Sequence, residues 1–339
     1  MENKYNIVSC ASYGSSGSSV VTDYLSEYDN IKNLGTYEFR FVQDYMGIST
    51  LEDALVTSPH RLNSDIAIQN FLKYVDRQCG NILKRRYQEF FNNRWKEISY
   101  NYIDCLIDAK WQGYWEEYQI IEPKIQSVLK YQIFPRLKRL MSFPRKYIAN
   151  YIPTKPMFFS FPSEEKFLKC TRNYINDLCN ELDPKHEFQY LMFDQLMPPA
   201  NIGKYERYFD SIKTIVVDRD PRDYYLENVL RWGEKWVPAD VESFAILYRK
   251  QREQAKAYPD SENVLRIQFE DSIFHYDKFE EQVQNFLELN SDNHLHPKSK
   301  FNPLKSVKNT KLWERRNVDP TVIRKIENFL PEFLYQFDN

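Results

Sequence analysis

The stretch SCASYGSSGSSVVTDYL (residues 9–25) decides the fold. It holds two of the chain's eight glycines and six serines, set between an apolar lead-in and a run with apolar residues at helical spacing. Residues 5–12 (YNIVSCAS) read as a short buried strand, the Gly/Ser run as a turn, and SSVVTDYLSEY as a helix. A turn of this kind presents backbone N–H groups and hydroxyls to one point at the positive end of the helix dipole, which suits a phosphate or sulfate. The run contains no lysine, so it lacks the G-x-x-x-x-G-K-[ST] pattern of the Walker loop.

The same grammar recurs near residue 215. SIKTIVVDRDPRDYYLENVLRW gives an apolar strand over Ile212–Val217, a charged turn holding Pro221, and a helix from about Arg222. Between the two units, NIKNLGTYEFRF predicts a strand around Leu34 to Phe41, STLEDALV a helix opening at a Ser/Thr cap, and EFQYLMF a strand ending at Asp194-Gln195. A helix is expected near 164–182 and a strand in NVLRIQF, running into Glu270-Asp271. Residues 65–150 read as helical and aromatic-rich, an insertion within one domain over 1–339, and the proline-broken KYIANYIPTKPMFFSFPSEE as the connection back to the sheet. Strands alternating with helices predict an α/β fold, a parallel sheet flanked by helices, with ligands at the carboxyl ends of the strands.

Composition narrows the partners. A net charge of −2 gives no polyelectrolyte signal for nucleic acid, although residues 80–150 carry 13 Lys/Arg against 7 Asp/Glu and form a local basic stretch. The N-terminal MENKYNIVSCASYG lacks the apolar run of a signal peptide and no segment is apolar for long enough to span a bilayer, so a cytoplasmic location is the expectation. Five scattered cysteines without a C-x-x-C pair indicate neither a disulfide framework nor a zinc site; they read as small buried apolar residues. His294-Leu295-His296 with Asp292 has the donor types of a metal site but reads as a surface loop, and no metal is expected.

Two anion-holding turns about 200 residues apart resemble those of the sulfotransferases that use 3′-phosphoadenosine 5′-phosphosulfate (PAPS). Ser16-Gly17-Ser18-Ser19 is similar to that family's cradle for the 5′ phosphate, and Arg219-Asp220-Pro221-Arg222-Asp223 to its 3′-phosphate turn. Phe269-Glu270-Asp271 is like a further family segment, and Lys305-Ser306-Val307-Lys308-Asn309-Thr310-Lys311-Leu312-Trp313 like its closing basic loop. The resemblance covers residues 1–45 and 187–315. It implies a P-loop-like sulfotransferase fold, closest in style to the bacterial and carbohydrate-type members, and a donor site made by Gly14, Ser15, Ser16, Gly17, Ser18, Ser19, Arg219, Lys305, Lys308 and Asn309. Two positions depart from the family pattern: Ser15 stands where it has a cation, and Glu227 where it has a serine, so Glu227 must point away or Asn228 serve instead.

Sulfuryl transfer is an in-line displacement needing a base for the acceptor hydroxyl and positive charge on the leaving oxygens. Glu38 is the first choice of base, Asp194 the second and His60 the third. Lys308 is the first choice for the missing cation, ahead of Arg40, Lys305 and Lys311. The expected acceptor is a hydroxyl, on a carbohydrate first and a steroid or lipid second. The rivals are a kinase, since Thr214–Asp218 imitates a strand ending in a metal-binding aspartate, and a nucleotide-binding protein that has lost turnover.

Overall fold

The computed structural model describes residues 4–80, 86–316 and 318–337. Five strands form one all-parallel sheet: β1 (Asn6–Ser12), β2 (Ile31–Glu38), β5 (Tyr190–Asp194), β6 (Ser211–Asp218) and β7 (Val264–Gln268), in the order β2-β5-β1-β6-β7. Central β1 shows why both faces are covered. Ile7 and Ala11 enter one apolar core, Val8 and Cys10 the other, so the strand reads as a nearly unbroken apolar run. The chain leaves β1 toward one edge and later returns to its other side, which makes the carboxyl ends of β5, β1 and β6 the switch point where a crevice opens. The expected parallel α/β sheet is therefore present.

The first turn leads into helix α1 (Ser19–Leu25), and the turn after β6 into the helix Pro221–Tyr225, which widens into a π-helical run over Leu226–Trp232. The helix expected near 164–182 spans Glu164–Leu182, with Ser163 accepting from Lys166 N–H as its cap.

Four expectations need correction. The strand placed over Leu34 to Phe41 starts at Ile31 and stops at Glu38, where its pairing with β5 shifts register. Phe39 and Phe41 leave the sheet and bury against Phe193, Tyr87 and Trp95, so their apolar character comes from side-chain packing outside the ladder. The stretch 65–150 is not helical throughout: β3 (Ala109–Gly113) pairs antiparallel with β4 (Lys155–Phe159), so the proline-broken connection carries a strand of a separate two-stranded sheet. Cys105 and Cys170 are disulfide-bonded across the packed helices Trp95–Leu106 and Glu164–Leu182, with Cα atoms 6.3 Å apart, a pairing 65 residues long that spacing alone could not reveal. His294 is no surface-loop residue: it is buried, stacks on Tyr28 at 4.5 Å and contacts Glu27 through Nε2 at 2.7 Å. Glu27 also accepts from the backbone N–H groups of Lys298, Lys300 and Phe301, so this cluster fastens the segment after residue 293 to α1.

Among the described residues no group of three or more His, Cys, Asp or Glu has the placement of a metal site, and no helix is long and apolar enough to cross a membrane.

Candidate active site

Strand β1 delivers the chain into a turn whose backbone is left-handed at Gly14 (φ 88°), Ser15 (φ 52°) and Gly17 (φ 94°). Glycine is required at Gly17 twice over. Its φ is costly for an L residue, and a Cβ there would stand 2.3 Å from the Phe269 ring. At Gly14 the Trp236 ring fills the same place, 2.7 Å from a would-be Cβ. Among the described residues no protein acceptor takes the N–H of Ser15, Ser16, Gly17 or Ser18, which leaves a concave row of donors of the kind that holds anions. The Ser16 hydroxyl faces the other way and donates to Val217 O at 2.6 Å, anchoring the turn to β6. Ser18 is half-buried and exposed Ser19 begins α1.

The second turn reaches across to the first. Arg219 is buried, donating from Nη1 to Ser15 O at 3.1 Å and from Nη2 to Asn309 O at 2.5 Å, while its guanidinium lies 4.7 Å from the centre of the Phe269 ring. Its Nε is buried and, among the described residues, has no partner. Asn228, inside the π-helical run, donates to Tyr224 O at 3.0 Å and Gly14 O at 3.4 Å, and among the described residues its buried Oδ1 likewise has no partner. Glu227 turns away to Arg231 and Arg316. Within the π turn Asn228 thus lies beside the first turn and Glu227 points away from it.

The neighbouring charges are structural. Arg222 is forked onto Asp220, pairs with Glu327 at 2.9 Å and stacks on Trp313 at 3.9 Å. Asp223 accepts from the N–H groups of Lys311 and Leu312 at 2.9 and 2.7 Å, clamping the loop of residues 303–313 to the second turn. Burial pushes its carboxyl up to about 6, with Arg219 opposing. Glu270 accepts from Asp220 N–H at 3.0 Å, and burial followed by the Asp220 charge raises it to about 8. Asp218, the residue on which a kinase reading depends, is held by both Nε and Nη2 of Arg252.

On the β2 and β5 side, Gly14, Ser15, Glu38, Arg40, Gln43 and Trp236 line one cavity of ≈ 680 Å³, with Pro198, Pro199 and Tyr205 along its wall. Glu38 is 56% exposed and stands 3.8 Å from Arg40, whose Nε holds Asp44 at 2.9 Å. Asp194 lies at the adjacent strand end but is buried; burial first, and the Glu38 charge second, push its carboxyl up to about 7. His60 sits elsewhere, as the cap of the helix Arg61–Gln78. Lys305 and Lys308 are exposed, and among the described residues neither pairs with a carboxylate; Lys311 lies over the Phe337 ring. The structure therefore brings Ser15, Arg219 and Asn309 into direct contact, and Glu38 and Arg40 to the same cavity as the first turn.

Gln195 is the residue that sequence reasoning passed over. Left-handed at φ 59°, it donates from Nε2 to Ser12 Oγ at 2.8 Å and Ser18 Oγ at 3.0 Å, and its carbonyl accepts from Gln43 at 2.6 Å. It ties the first turn to the cavity wall. The available signal was a polar residue directly after a buried parallel strand and before Pro198-Pro199.

No family model matches the chain, and no curated protein matches it. Among solved structures it is similar to the sulfotransferase domain of the Synechococcus PCC 7002 olefin synthase, at 13% identity over 100% of this chain and 98% of that one, with a TM-score of 0.43. It is also similar to a sulfotransferase of Mycobacterium tuberculosis, at 9% identity over 96% of this chain and 78% of that one (TM-score 0.34). A third, from Mycobacterium avium, matches at 9% identity over 97% and 76% (TM-score 0.36).

Proposed function

We propose that the chain is a sulfotransferase that moves a sulfuryl group from PAPS to an acceptor hydroxyl. The observation that carries this reading is the convergence of two strand-end turns on one point, with Arg219 bridging Ser15 and Asn309 and keeping a buried, unpartnered Nε. A buried guanidinium nitrogen left without an acceptor is costly, and an anion relieves it. The unpartnered Asn228 Oδ1 and the free N–H groups of the first turn point the same way. The residues present fit the donor: the N–H groups of Ser15 to Ser19 suit its 5′ phosphate, and Arg219 with Asn228 its 3′ phosphate. Each Arg219 Nη gives one N–H to a backbone carbonyl and keeps a second, so with Nε the guanidinium can grip a phosphate while the loop of residues 303–313 stays clamped by Asp223.

When bound, PAPS supplies the sulfuryl group and the nucleotide leaving group. The chain's own residues do the rest. Glu38, open to the cavity, takes the proton of the acceptor hydroxyl, and Arg40 holds its carboxylate in place. Lys308, which pairs with no carboxylate among the described residues and sits in the loop that Asp223 clamps, brings positive charge to the leaving oxygen, the role left open by Ser15. Trp236, Tyr205 and the two prolines offer flat apolar faces to the acceptor, which suits a sugar ring and leaves a steroid or lipid as the second choice. Transfer of labelled sulfuryl groups from PAPS to panels of sugars, sterols and lipids tests the reading. A labelled product from any panel supports it, and nucleotide binding without transfer to any of them contradicts it.

A further inference from the structure

Residues 123–163 hold eight Lys/Arg and no Asp/Glu, in a chain whose net charge is −2. One continuous helical run crosses this stretch, as Lys124–Ser127, a π turn over Val128–Ile133, and Phe134–Met141. Its inward side is narrow. Ser127, Tyr131 and Pro135 recur every four residues and are buried, with Tyr131 donating to Glu122 at 2.7 Å. The outward side carries Ile125, Leu129, Ile133, Leu137 and Leu140 at helical spacing, each exposed, and Met141 and Phe143 extend it at 86% and 99% exposure. Such a stripe on a water-facing helix asks for a second apolar phase. Among the described residues, Arg136, Lys138, Arg139, Arg145 and Lys146 pair with no carboxylate, so the same surface presents unneutralised positive charge.

We propose that residues 124–147 dock on an anionic lipid surface, the stripe entering the boundary between headgroups and acyl chains and the cations meeting lipid phosphates. The charge pattern selects this occupant. A second copy would bring the same cations face to face across a two-fold axis, and like charges repel. Nucleic acid would satisfy the cations but leave the Leu, Ile and Met stripe without bases to match it. The helical run carries too many charges to span a bilayer, so it lies in the interface. This surface docks whether or not the chain transfers sulfuryl groups.

Sedimentation of the full chain with vesicles tests the proposal, using phosphatidylcholine alone or mixed with phosphatidylserine. The chain is expected to pellet with the mixed vesicles, less so as salt rises, and not with phosphatidylcholine alone. Leu137→Asn with Met141→Asn, and separately Lys138→Glu with Arg139→Glu, are expected to weaken binding roughly tenfold or more while circular dichroism and the melting temperature stay unchanged. These side chains are exposed, so neither variant removes a core contact. Failure to bind the mixed vesicles, or binding untouched by both pairs, overturns the proposal. So does a dimer in solution that Leu137→Asn with Met141→Asn splits, which would assign the face to a second copy.

Discussion

Asp194 and Glu38 stand at the carboxyl ends of adjacent strands, one buried and one open to the cavity, and this difference divides their roles. A general base must first reach the proton it removes, and Glu38 lines the cavity proposed above for the acceptor. Asp194 is raised to about 7 by burial first and the Glu38 charge second, so the two carboxyls act on one another across the strand ends. Glu38→Gln is therefore expected to lower turnover about 100- to 10,000-fold with little change in affinity for adenosine 3′,5′-bisphosphate. Asp194→Asn should change turnover far less and move its pH profile. A crippled Asp194→Asn beside a nearly normal Glu38→Gln would give the base role to Asp194. Both carboxylates are visible in the sequence as strand-end residues. What sequence cannot supply is which one is buried, since that depends on β2 and β5 being neighbours, a pairing between segments about 155 residues apart.

The elements were legible wherever a local signal marked both ends. Strand β1, its Gly/Ser turn and α1 show an apolar run, two glycines at left-handed positions and a helical period; β6 shows the same with Asp-Pro. Where an apolar pattern had a second cause, the boundary was lost: Phe39 and Phe41 continue the alternation of β2, yet they bury against aromatic rings beyond its end. β3 and β4 were hidden because each is short and is a strand only through the other. Gly17 tests the tightest of these elements. Gly17→Ala places a methyl group on the Phe269 ring at a left-handed φ, and is expected to cost about 1–3 kcal/mol of stability from the backbone alone. It should weaken bisphosphate binding as well, because the ring it displaces supports Arg219. A melting temperature and affinity equal to wild type would show that the turn is not built as described.

At the scale of the whole molecule, two features lie beyond sequence reading: the Cys105–Cys170 bond, and a set of buried carboxyls around the crevice. Reduction of the disulfide is expected to lower stability by about 2–4 kcal/mol, read as a lower melting temperature in thiol than without it; an unchanged melt would contradict the bridge. Asp194, Asp223 and Glu270 are each raised above their ordinary values, to about 7, 6 and 8. The folded chain then holds protons that the unfolded chain releases, so their contribution is complete below the unfolded values near pH 4 and is lost as pH rises toward 8. Melting temperatures are expected to fall between pH 5 and 8, less steeply in Asp194→Asn; a rise over that window would contradict the burial of these groups. The central claim is that two separate turns hold two phosphates of one nucleotide, and calorimetric titration with adenosine 3′,5′-bisphosphate, against ATP with and without magnesium, tests it most directly. The account predicts binding without magnesium, stabilisation of about 2.7 kcal/mol at a hundredfold excess over the dissociation constant, and a much smaller effect of ATP. It also predicts that Arg219→Ala loses about 1.5–3 kcal/mol of that affinity while remaining folded. Equal binding of both nucleotides, a requirement for magnesium, or an Arg219→Ala variant that binds the bisphosphate as tightly as wild type would contradict it.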